Sequence, residues 1–88
     1  MPDPHKPKKL VLSDHAGQSI SERNLPLEWV ERTIRNPEWT EIDPQSGRKR
    51  CYAAISEYGN RFLRVVVVET DKEIRIITAF FDRRAKRP

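Results

Sequence analysis

The second half of this chain is dominated by three β-rich runs, 49–58, 61–69 and 73–81, separated by little more than "GN" (59–60) and "TDKE" (70–73). Connections this short join antiparallel neighbours, because a parallel pair needs a crossover of about a dozen residues or more. With "GN" as a two-residue hairpin loop, Tyr58 opposes Arg61 and Ala54 opposes Val65. With "TDKE" as a four-residue loop, Glu69 opposes Ile74 and Val65 opposes Thr78. One face then carries Tyr52, Ala54, Ser56, Leu63, Val65, Val67, Ile74, Ile76, Thr78 and Phe80. The other carries Cys51, Ala53, Ile55, Phe62, Arg64, Val66, Val68, Arg75, Ile77, Ala79 and Phe81. Both faces are largely apolar, which a sheet with one wet side does not require. Two helices in so short a chain cover one face, so the termini, a second copy or a partner protein is expected on the other.

The helices come from the first half. "KKLVLS" (8–13) reads as a short strand, and Ser13 or Asp14 is a good N-cap for a helix over about 14–23, closed by Asn24. "LPLEWVERTIRN" puts Pro26 where a first helical turn tolerates it. Leu27, Trp29, Val30, Thr33 and Ile34 follow a 3.6-residue spacing, and Asn36-Pro37 stops the helix. "EWTEID" (38–43) is an edge strand and "PQSGR" a loop. The expected fold is α+β, with two N-terminal helices packed on an antiparallel sheet of about four strands. Residues 1–7, with three prolines, read as a disordered lead, 8–82 as one domain and 83–88 as a basic tail.

Eighty-eight residues bury only roughly 60–65% of the surface of the unfolded chain, so one modest core is the limit. Seventeen Lys and Arg against thirteen Asp and Glu give a net charge of +4, with positives gathered at "KPKK", "RKR" and "RRAKR". This balance favours nucleic acid or an acidic protein over a basic partner. The single cysteine, Cys51, excludes an intramolecular disulfide and a cysteine-based zinc cluster, and suits a reducing cytosol. No cofactor or metal site is read. No apolar run approaches the ~18 residues of a membrane helix, so a cytoplasmic location is expected.

In the stretch "LSDHAGQSISERN", His15, Ser19 and Arg23 recur at i, i+4 and i+8 and share a stripe of the first helix. His15 is either a surface or cap residue or a proton carrier near pH 7. Arg23 is either a C-terminal charge complementing the helix dipole or a phosphate ligand. Thr78 interrupts an apolar strand face, either for β propensity or as an orienting hydroxyl. Lys49 and Arg50, with Arg61 and Arg64 across the hairpin, either hold phosphates or solubilise an edge. Trp29 and Trp39 read as core anchors.

A strand ending "LS", then "HA", an Arg closing that helix, "NPE" after the second helix, a Gly-bearing loop and a terminal "IITAF" together span Leu10 to Phe81. This pattern resembles a bacterial family of small domains of unknown function. That family looks related to the RelE/ParE-like toxins and, more broadly, to the metal-independent RNase fold of barnase and colicin toxins. The resemblance implies a RelE-like α+β fold, with His15, Arg23 and Thr78 at the positions such a family would use. Ser19 stands where members often carry a further arginine. The function so implied is a metal-independent endoribonuclease toxin, with RNA as substrate and a small antitoxin protein as partner. Two alternatives stay open: a non-catalytic interaction module, and a nucleic-acid-binding domain using its basic clusters without chemistry. His5 falls in the lead, which leaves an enzyme of this kind short of a second named proton carrier.

Overall fold

A computed structural model describes residues 8–88, so the expected disordered lead over 1–7, His5 included, lies outside the described residues. The elements run β1 (Lys9–Leu12), α1 (Asp14–Glu22), α2 (Leu27–Arg35), β2 (Trp39–Ile42), β3 (Lys49–Ile55), a 3₁₀ turn (Ser56–Tyr58), β4 (Arg61–Glu69) and β5 (Glu73–Phe81). The class is α+β, as the hydrophobic periods imply. The sheet corrects the expectation of about four antiparallel strands: among the described residues it has five, in the order β1-β5-β4-β3-β2, and β1 pairs with β5 in parallel. A four-residue edge strand carries no local mark of its partner. Only the long α1–α2 crossover, which leads from one edge of the sheet to the other, permits a parallel neighbour.

The strand register also departs from the sequence reading, for two physical reasons. β3 stops at Ile55, and a five-residue connection replaces the two-residue loop, with Asn60 N–H bonded to Ile55 O at 2.9 Å. Gly59 (φ 65°) and Asn60 (φ 57°) supply the left-handed residues that reverse the chain. Ile55 therefore faces Arg61 and Cys51 faces Val65, a three-residue slip that turns every β3 side chain to the opposite face. On the other side, Glu69 does oppose Ile74. A bulge follows, with Val67 paired to Ile76 and Val66 to Thr78, so that Val65 meets Ala79 rather than Thr78.

With these shifts the apolar residues sort themselves cleanly. Cys51, Ile55, Leu63, Val65, Val67, Ile74, Ile76 and Ala79 form one buried cluster with Ala16 and Ile20 of α1, Leu25, and Val30 and Ile34 of α2. Thr33, fully buried, satisfies its hydroxyl by donating to Trp29 O at 2.9 Å. The second face is closed in part by the chain itself. Trp39 stacks on Tyr52 at 4.7 Å and meets Phe62 edge-on, Arg87 lies 4.9 Å over the Phe62 ring, and Arg87 donates to Glu38 at 2.7 Å. The C-terminal segment is thereby drawn across that face.

Burial pushes the Cys51 thiol above its ordinary pKa, and its side chain is 1% exposed. On the face assigned by the two-residue hairpin it would lie across the sheet from Leu63 and Val65. The native protein should therefore react with a disulfide reagent about 100-fold or more slowly than the urea-unfolded chain, because the thiol is reached only through opening. Equal rates would contradict this register.

Candidate functional site

Ser13 is where strand becomes helix. Its hydroxyl accepts from Ala16 N–H at 3.1 Å as the N-cap of α1, and donates to Ile77 O at 3.3 Å, at the β5 bulge. Its N–H adds a third bond, to Ile76 O at 3.0 Å. β1 pairs with β5 only as far as Ile76. Beyond that point α1 packs alongside β5, which brings Thr78 beside the helix.

His15, Gln18, Ser19, Glu22, Arg23 and Thr78 line a cavity of about 280 Å³. Helical side chains lean toward the N-terminus, and two contacts show it here. Arg23 Nη1 donates to Ser19 Oγ, and Gln18 Nε2 donates to Glu22 Oε1 at 3.0 Å. Each charged group of the last turn is thus carried back one turn toward His15. Ser19, only 4% exposed, is a hydroxyl that seats Arg23 rather than a vacancy left by an arginine. Arg23 and His15 are themselves exposed, and Thr78 is half-buried. One imidazole, one carboxylate, one guanidinium, one amide and two hydroxyls share the cavity.

Glu22 is the residue that the sequence reading missed. Its signal was present, since i+7 from His15 falls on the same stripe as i+4. Among the described residues no group of three or more His, Cys, Asp or Glu side chains is placed to hold a metal ion, and no helix is long and apolar enough to cross a membrane.

The four basic residues expected to bind phosphate do not meet. Lys49 and Arg50 pair with Val67 and Val66, whereas Arg61 pairs with Ile55, so Arg61 lies roughly 17 Å or more from that pair along β4, with Arg64, paired to Tyr52, between them. Lys49 lies 3.7 Å from Glu69, Arg50 lies 3.2 Å from Glu41, and Arg64 lies 3.3 Å from Asp82. Arg61 instead sits 5.1 Å over the Tyr58 ring. It lines a second cavity, about 900 Å³, with Arg23, Arg83, Trp29, Tyr58, Phe80 and Phe81 among its walls. Arg23 borders both cavities. Trp29, read from sequence as a core anchor, does pack on the core and also faces this space.

The turn that carries Tyr58 is pinned to α2. Arg32 makes a forked pair with Glu57, at 2.8 and 2.7 Å, and holds the Glu57 carboxyl down at about 2, well below the usual carboxylate range.

Residues 12–81 match the model of a family described as a domain of unknown function, DUF4258. No curated protein and no solved structure matches the chain.

Ser13→Ala removes both hydroxyl bonds and should lower unfolding free energy by about 0.5–2 kcal/mol. Ser13→Asp retains an acceptor for Ala16 N–H but has no proton to give Ile77 O, and should recover only part of the loss. Urea titrations of the three proteins measure this; full recovery by Asp would mean that the contact to the bulge adds nothing.

Proposed function

The chain belongs to the DUF4258 family, and on that premise we propose that it is a metal-independent endoribonuclease with a RelE-like fold, acting as the toxin of a toxin–antitoxin pair. The observation that carries this reading is the convergence of His15, Glu22, Arg23 and Thr78, from two elements far apart in sequence, on one cavity.

RNA cleavage without a metal needs a base for the 2′-OH, an acid for the leaving 5′-oxygen and positive charge for the crowded phosphorane. In this reading the 2′-oxygen loses its proton and forms a bond to phosphorus. The P–O5′ bond breaks, O5′ takes up a proton, and the products are a 2′,3′-cyclic phosphate and a 5′-hydroxyl. Of His15 and Glu22, one accepts the proton of the 2′-OH and the other donates the proton taken up by O5′. Arg23, seated on Ser19, faces the developing negative charge, and the Thr78 hydroxyl orients a phosphate oxygen. Glu22 fills the role for which the sequence named no group. The RNA is single-stranded, because its 2′-oxygen must swing into line with the leaving group.

A second reading, a protein-interaction module, draws on Ile42 and Val68, which stay 61% and 37% exposed near the far end of the sheet. An acidic or amphipathic antitoxin is the partner it would fit. Nucleic-acid binding without chemistry differs from both in its steep loss of affinity with salt.

His15→Ala should leave stability nearly unchanged, since the side chain is exposed, and lower cleavage about 10²–10⁴-fold. Induced expression in a bacterial host, at matched soluble levels, checks it: growth arrest with new transcript ends is expected from the wild type alone. Harmless behaviour of both proteins would move the assignment to the interaction module.

A further inference from the structure

We infer that the larger cavity, bounded by Tyr58, Arg61, Trp29, Phe81 and Arg23, is a stacking subsite for one unpaired nucleotide of single-stranded RNA, set beside the phosphate-handling cavity. The inference rests on the proposed ribonuclease reading for the identity of the polymer, and on independent observations for the subsite itself.

The wall is aromatic and braced. Tyr58 and Phe81 pack at 4.6 Å between ring centroids, and Trp29 stands 6.0 Å from Tyr58 and 6.2 Å from Phe81. A large aromatic side chain left 45% exposed, as Tyr58 is, would ordinarily be free to move. Here the turn beneath it is clamped by the Arg32–Glu57 fork and set by the left-handed Gly59 and Asn60. A surface held in its binding shape spends little conformational entropy on its ligand.

Arg61 lies over the Tyr58 ring, so the wall ends in a guanidinium plane at the exposed side of the cavity. Nucleobases stack on aromatic rings and on guanidinium planes alike, and stacking of this kind tolerates any base. Charge matches the same ligand. Three arginines, Arg23, Arg61 and Arg83, line the space with a single carboxylate, Asp82, and that carboxylate is engaged by Arg64. A ligand that is planar and anionic at once satisfies both halves of the wall. An acidic peptide would satisfy only the charged half.

Continuity gives the direction. Arg23 borders both cavities, so a chain with its phosphate at Arg23 extends a neighbouring base over Arg61 and Tyr58 without leaving the surface. This is a positioning role: the subsite sets which phosphate reaches His15, and takes no part in proton transfer.

The test uses a fluorescently labelled 2′-O-methyl tetranucleotide, whose blocked 2′-oxygen prevents cleavage, and the matching chain without bases. Fluorescence anisotropy with the full-length protein should show the base-bearing chain bound about fivefold or more tightly than the abasic one. Arg61→Lys keeps the charge and removes the plane, Tyr58→Ala removes the ring, and each should abolish most of that difference. Lys72→Ala, which removes one positive charge from the β4–β5 connection at the opposite end of the sheet, should change the binding of both chains alike and preserve the ratio. Equal binding of the two chains by the wild type, a ratio that survives both Arg61→Lys and Tyr58→Ala, or no binding of either chain would each overturn the subsite. An acidic peptide competing while the base-bearing chain shows no advantage would do the same. A base-dependent ratio in a protein that cuts no RNA would leave the subsite standing and remove the ribonuclease reading, so the two failures are distinguishable.

Discussion

One hydroxyl joins the two halves of this domain. Ser13 follows the parallel pairing of β1 with β5, caps α1 and bonds the carbonyl of Ile77 at the bulge, all through one short side chain and its own N–H. The strand before it is fixed to β5 by ladder bonds, and the helix after it is fixed by Ala16 and Ile20 in the core. The direction in which α1 leaves the sheet follows from those restraints. Because His15 is two residues further on and Thr78 is one residue past Ile77, the same junction places them in one cavity. A bulge beside a candidate site is a common way to re-aim a strand residue, and here it separates Thr78 from the regular alternation of Ile74 and Ile76.

Charge is distributed in a way that net charge does not reveal. Lys8, Arg32, Arg50, Arg64 and Arg87 each contact a carboxylate, and several of these pairs tie separate segments together: Arg32 to the 3₁₀ turn, Arg87 to Glu38 just before β2, Lys8 to β4. Exposed pairs of this sort add little stability individually. The guanidinium groups of Arg23 and Arg61 engage a hydroxyl and an aromatic ring instead, and both face cavities on the side of the sheet where β5 ends. Part of the positive charge is therefore already engaged by the chain's own carboxylates, and Arg23 and Arg61 are among the cations that are not.

Much of this was legible in the sequence. The helix limits to within about a residue, a cap at Ser13 or Asp14, the burial of Val30, Thr33 and Ile34, and the shared stripe of His15, Ser19 and Arg23 all follow from 3.6-residue spacing and turn chemistry. The face of β3 did not. Alternation in "CYAAISEY" runs on past Ile55 with no break, and two largely apolar faces give no penalty for choosing the wrong one. Only the left-handed pair at Gly59 and Asn60, with a helical turn before it, sets the strand end. The bulge was hidden for a similar reason: Ile76, Ile77 and Thr78 are all good strand residues, and nothing local marks one of them as extra. The aromatic cavity was out of reach because Trp29, Tyr58 and Phe81 lie on three different elements, and Arg61 meets them only after the five-residue turn is formed.

The claim at the centre of this reading is that the cavity under α1 cuts RNA by proton transfer between side chains. Purified protein, incubated with a short single-stranded RNA in excess chelator, tests it directly. The expected products carry a 2′,3′-cyclic phosphate on one fragment and a 5′-hydroxyl on the other, formed at the same rate with and without chelator and lost in His15→Ala. RNA that stays intact, cleavage that stops with the chelator, or fragments bearing a 5′-phosphate would contradict it.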